Sequence, residues 1–202
     1  MKALGKGSIA SLVRIGLMIA WVFLWICAGA LVIGSIGYGI VLWLTMNGTL
    51  DPALLTGGEG QIRVGQSGGG DFHLTYGEPG GATWPVVVPA LLIGAAAISG
   101  SLVIVWRLRK LFDSFSSAEP FRRENATHLR VIWITMVAIE LARYALLALT
   151  GVLLANFGGP DVDANYTFAI DFSTWLSILI LIVLAEVFRE GARLKEEQEL
   201  TI

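Results

Sequence analysis

The chain is short of the residues on which most soluble catalytic chemistry rests. Its 202 residues include one cysteine, Cys27, and two histidines, His73 and His128. One cysteine cannot form an internal disulfide framework or a cysteine-based metal site. Cys27 sits in an apolar run, where a thiol serves as a small packing residue. There is no His-Glu-x-x-His pattern, no glycine loop leading into Lys and Ser/Thr, and no serine-nucleophile motif. The oligoglycine at 68–70 lacks a strand–loop–helix setting. Charge is scarce as well, at 15% of residues, where soluble domains average about a quarter. The net charge of −2 offers no basic face for nucleic acid. These absences point away from an enzyme, a cofactor and direct nucleic-acid binding.

What is abundant is apolar sequence: 55% of residues are hydrophobic and the mean hydropathy is +0.71. The start, "MKALGKGSIASLVR", has the look of a signal peptide. The uncharged run that follows extends from residue 15 to residue 50, well beyond a signal-peptide core of about 7–15 residues. An uncleaved membrane helix is expected. A helix crosses the hydrocarbon layer with about 20 apolar residues. Four segments qualify, at 15–46, 85–106, 131–154 and 172–188. The expected fold is therefore an all-α membrane protein, a four-transmembrane-helix bundle forming one domain over 1–202. Its partner is the lipid bilayer.

Orientation follows from the cations. Lys2, Lys6 and Arg14 precede the first span, and Arg107, Arg109, Lys110, Arg122, Arg123 and Arg130 fill the 107–130 loop. Arg189, Arg193 and Lys195 follow the last span. The opposite side holds only Arg63, in the 47–84 loop. The positive-inside rule then puts both termini and the middle loop in the cytoplasm. Trp43, Trp84, Trp106, Trp133 and Trp175 fall near span ends, as interfacial anchors do.

The glycine-rich 47–84 outer loop contains "QIRV" and "FHLTY", alternating stretches separated by "GQSGGGD". Such alternation bounded by glycine suggests a small β-hairpin. Its expected role is to cover the helix ends, with a ligand-sensing lid as the sharper alternative. His73 has no companion ligands there. In the middle loop Leu108, Leu111, Phe112 and Phe115 recur at helical spacing, so the second span continues as an amphipathic helix. The topology sets His73 and His128 on opposite sides of the membrane, so they cannot share a metal.

Within "VAIELARYALLAL" (137–149), Glu140 and Arg143 stand deep in the third span. Isolated charges there cost about 2.5–3.5 kcal/mol each on insertion scales. Three residues apart, they share a helix face. Their remaining donors and acceptors should meet protein, with Ser99, Ser101 and Ser177 at similar depth. Gly94, Ala97 and Ser101 are small enough to let helices approach. The expected role is a structural polar clasp. The alternative is the centre of an ion, proton or ligand path.

The C-terminal "LAEVFREGARLKEEQELTI" and the loop motif "PFRRENATHLR" are the most specific stretches in the chain. With the four-span layout, they resemble an uncharacterised bacterial membrane family, domain of unknown function 2975. The matching positions are Phe121, Asn125, Leu129, Arg130, Phe188, Arg189, Gly191, Leu194, Glu199, Leu200, Thr201 and Ile202. The resemblance implies a four-helix inner-membrane protein without an assigned activity. It also implies a cytoplasmic helix-turn-helix transcriptional regulator as partner, because such a regulator is often encoded beside family members. On this reading the matching positions form a cytoplasmic interaction surface. Gly191 is a place where the last helix could end or loosen. The alternative function is a small transporter built on Glu140 and Arg143.

Overall fold

Each apolar segment folds into a helix longer than one crossing of a bilayer requires. The computed structural model describes residues 9–50, 60–64, 71–76, 84–116, 123–157, 162–167 and 171–199, with side chains over 12–50, 84–114, 124–157 and 171–197. Helix α1 spans Ile9–Met46, α2 Trp84–Ser116, α3 Arg123–Phe157 and α4 Phe172–Glu199. Three short strands accompany them: β1 Gly60–Val64, β2 Asp71–Tyr76 and β3 Val162–Thr167. Phe121, Leu200, Thr201 and Ile202 lie outside the described residues.

The helix ends are written in local chemistry. Helix α1 closes in a Schellman turn, with the Gly48 N–H donating to the Thr45 carbonyl and the Thr49 N–H to the Leu44 carbonyl. That turn needs a left-handed residue, and Gly48 supplies it at φ 70°. Pro85 and Pro89 sit in the opening turns of α2, both fully buried. Proline lacks the amide N–H, which costs little at Pro85 in the first turn, whereas Pro89 lies inside the helix and gives up one backbone bond there. Asp171 caps α4, its Oδ1 accepting from the Ser173 N–H at 2.9 Å.

Four described helices are long and apolar enough to span a membrane. Their surfaces agree with that use. Among the described residues no side chain of α1 is buried, and Leu12, Ile33 and Met46 are more than 70% exposed. Leu176, Leu179, Ile180 and Val183 of α4 are also exposed. Contiguous apolar faces of this extent are unfavourable in water and match hydrocarbon instead. The chain is a multi-pass membrane protein.

The strands form one antiparallel sheet in the order β1-β2-β3. Its register aligns Ile62 with Leu74, Val64 with Phe72, and Leu74 with Ala164. The β3 sequence "VDANYT" alternates apolar and polar residues like the other two.

By its internal contacts the chain forms two compact units. Unit 1 comprises Met1–Cys27, Ala97–Glu140 and Thr174–Ile202, and unit 2 comprises Ala28–Ala96 and Leu141–Ser173. In unit 1, Leu111, Leu129 and Ala185 form a buried core, packed by Leu108, Trp133, Leu181 and Phe188. Helices α2 and α3 approach closely at Gly100, where an added Cβ would lie 2.6 Å from Ile139 Cγ1. Helix α1 meets α2 through Arg109, 5.7 Å from the Trp21 ring centroid, and through the exposed Arg14–Asp113 pair at 3.8 Å.

Unit 2 holds the sheet and a different apolar core, including Val86, Leu147 and Leu154. Trp84 and Phe157 stack at 5.3 Å, tilted by 53°. Gly94 admits Leu31, whose Cδ1 lies 2.9 Å from where a Cβ would stand. The buried Thr150 Oγ1 donates to the Leu146 carbonyl at 2.8 Å.

Candidate functional site in the cationic unit

Twelve of the fourteen Lys and Arg residues belong to unit 1. The last turns of α2 gather Arg107 and Lys110 around Trp106, at 4.7 and 4.1 Å from its ring centroid. Arg107 Nη1 also donates to His128 Nδ1 on α3 at 3.2 Å. One turn earlier on α3, Asn125 Nδ2 donates to Ser114 Oγ of α2 at 2.9 Å. Asn125 is 1% exposed. A buried amide held this way fixes the register of two helices, since losing a partner inside protein costs about 1–3 kcal/mol.

This framework leaves an open cleft of about 360 Å³ between α3 and α4. Helix α3 lines it with Ala126, Thr127, Arg130 and Trp133, one turn after another. Helix α4 supplies Ile182, Ala185, Glu186 and Arg189. Arg189 and Glu186 form an exposed ion pair on α4. Arg130 is exposed and makes no hydrogen bond or ion pair among the described residues. Among those residues no cluster of His, Cys, Asp and Glu could hold a metal ion.

A model of the family described as "Protein of unknown function (DUF2975)" matches residues 79–202, more than half of the chain. The chain belongs to this family. No curated protein and no solved structure matches it. The matched stretch of this DUF2975 protein contains all of α2, α3, β3 and α4 and begins after β2.

The motif positions separate into packing and surface groups. Leu129 is 2% exposed and lies in the core that Phe188 also packs. Asn125 is buried against α2. Both side chains therefore pack helices together in this structure. Arg130, Arg189 and the half-exposed Leu194 remain accessible. Gly191 does not end α4, which runs on to Glu199. Burial of Ala192 and the Arg193 pairs with Glu190 (2.9 Å) and Glu197 (3.3 Å) hold the helix past it. Glu199 is the last residue of that helix.

Glu140 and Arg143 are both half-buried on α3. The Arg143 guanidinium carbon lies 5.0 Å from the Tyr144 ring centroid, with Nη2 at 3.5 Å from the Tyr144 hydroxyl. Glu140 has polar contacts of its own. Sequence reasoning missed the cleft and the Arg107–His128 link. A signal existed: Arg130 and Arg189 each stand at the charged edge of an apolar run, with an aromatic residue close by in sequence.

Proposed function

We propose that this protein is a non-enzymatic membrane partner of a soluble regulator, lying in a bacterial inner membrane with both termini cytoplasmic. The partner suggested by the family resemblance is a helix-turn-helix transcriptional regulator, contacted by the C-terminal arm and the accessible cations of unit 1. The observation that carries this reading is the length of α4. Its apolar stretch is spent near Phe188, yet the helix continues to Glu199. Eleven further residues add about 16 Å of helical arm at 1.5 Å each. That arm carries both charge signs along its surface and an exposed Leu194, a mixture suited to docking a folded protein.

The test is capture of a helix-turn-helix regulator, taken from a gene adjacent to this one where such a gene is found, by the full-length protein in detergent. Removing residues 196–202 spares buried Ala192 and the Glu190–Arg193 pair. Loss of capture in that truncation, with unchanged thermal stability, supports the reading. Undiminished capture contradicts it.

A second reading, a small transporter or ion-handling protein, draws on the half-burial of Glu140 and Arg143 within a membrane helix. It predicts a flux that Glu140→Gln abolishes and the 196–202 truncation leaves intact.

A further inference from the structure

We propose that the α3–α4 cleft of unit 1 binds a phosphate group, with the singly charged headgroup of an anionic phospholipid as its natural source. This goes beyond the regulator reading and stands independently of it.

The lining changes character within about two helical turns. Ile182 and Trp133 form an apolar wall, while Thr127, Arg130, Glu186 and Arg189 bring hydroxyl and charge to the same space. Such a gradient mirrors the step from acyl chain to headgroup, and tryptophan favours that depth. Basic pockets between membrane helices on the cytoplasmic side are suited to lipid headgroups.

Two cations differ in readiness. Arg130 carries five N–H donors and has no ionic or hydrogen-bonding partner among the described residues. Arg189 is paired with Glu186 on its own helix, and both side chains are more than half exposed. An exposed pair of this type contributes little, and one carboxylate engages only part of a guanidinium fork. Arg189 can therefore donate to a phosphate oxygen while Glu186 stays in place. Planar guanidinium groups match phosphate geometry.

Glu186 also sets selectivity. Two guanidinium groups and one carboxylate leave a formal charge of +1, which balances a phosphodiester and undercompensates a doubly charged monoester. The cavity, about 360 Å³, lies within the usual range of roughly 300–1,000 Å³ for small-ligand sites. The buried Asn125–Ser114 bond and the Leu129 core hold α3 beneath the cleft, so the site is formed before a ligand arrives.

The test is native mass spectrometry of the full-length protein in neutral detergent, titrated with phosphatidylglycerol, phosphatidylcholine or inorganic phosphate. Phosphatidylglycerol should be retained about tenfold more strongly than phosphatidylcholine, in keeping with charge-assisted hydrogen bonds. Arg130→Gln and Arg189→Gln should each weaken it about fivefold or more. Arg193→Gln, an equal charge change on the same helix but outside the cleft, should stay within about twofold. Competition by millimolar inorganic phosphate, without preference between the two lipids, would assign the site to a soluble phosphate source and overturn the lipid source. Equal retention of phosphatidylglycerol by wild type, Arg130→Gln and Arg189→Gln overturns the site itself.

Discussion

The two compact units share one chain but differ in what they hold. Unit 1 carries twelve basic and nine acidic residues, a net +3, whereas unit 2 carries two basic and seven acidic, a net −5. Unit 1 packs its α2–α3 approach around a glycine and ties helix ends together with Asn125, Ser114, Arg107 and His128. Unit 2 relies on prolines, an aromatic pair and a three-stranded sheet. The family match leaves out β1 and β2 but covers the α3–α4 cleft in full. Polar specificity is thus concentrated in the cationic unit, to which all the motif positions belong: Asn125, Leu129 and Phe188 pack it, while Arg130, Arg189 and Leu194 stay accessible.

That contrast can be tested by substitution. If Glu140 is a structural clasp, Glu140→Ala should have the greatest effect, about 2–4 kcal/mol, as expected when a paired charge away from water loses its counterpart. Reversible unfolding in mixed detergent micelles would measure it; unchanged stability with altered flux would favour the transport reading. Gly100→Ala in unit 1 should cost about 1–3 kcal/mol, because the methyl meets Ile139 at Cγ1 as well as at its tip. Gly94→Ala in unit 2 should cost less than about 1 kcal/mol, since only the end of the Leu31 side chain must yield. Similar losses at both glycines would erase the difference between the two cores. Asn125→Ala should lower stability by about 1–3 kcal/mol through loss of its bond to Ser114. Arg193→Gln should fall within about 0.5 kcal/mol, since its pairs are exposed.

The helices were legible because hydrocarbon demands long apolar runs, and 15–46, 85–106, 131–154 and 172–188 supply them. The continuation of α2 through Arg107–Ser116 was legible too, from Leu108, Leu111, Phe112 and Phe115 at helical spacing, whereas α4 runs on to Glu199 past Gly191, where the sequence allowed it to end or loosen. Gly94 was recognised as a point of helix approach, whereas the tighter one, Gly100, lay unnoticed between the named serines. Asn125 and Leu129 were visible as motif residues but not as buried ones. Burial at a helix end depends on which neighbour packs there, and periodicity alone does not specify that. The cleft was hidden for the same reason: Arg130 and Arg189 are far apart in sequence and meet only through α3–α4 packing.

Everything proposed for unit 1 depends on its cations facing the cytoplasm. Fusing a fluorescent protein after Ile202, and separately inserting a phosphatase that is active only outside the cytoplasm at residues 67–69, tests this directly. Bright C-terminal fluorescence together with an active phosphatase is the predicted result. A dark C-terminal fusion together with an inactive 67–69 insertion would contradict it.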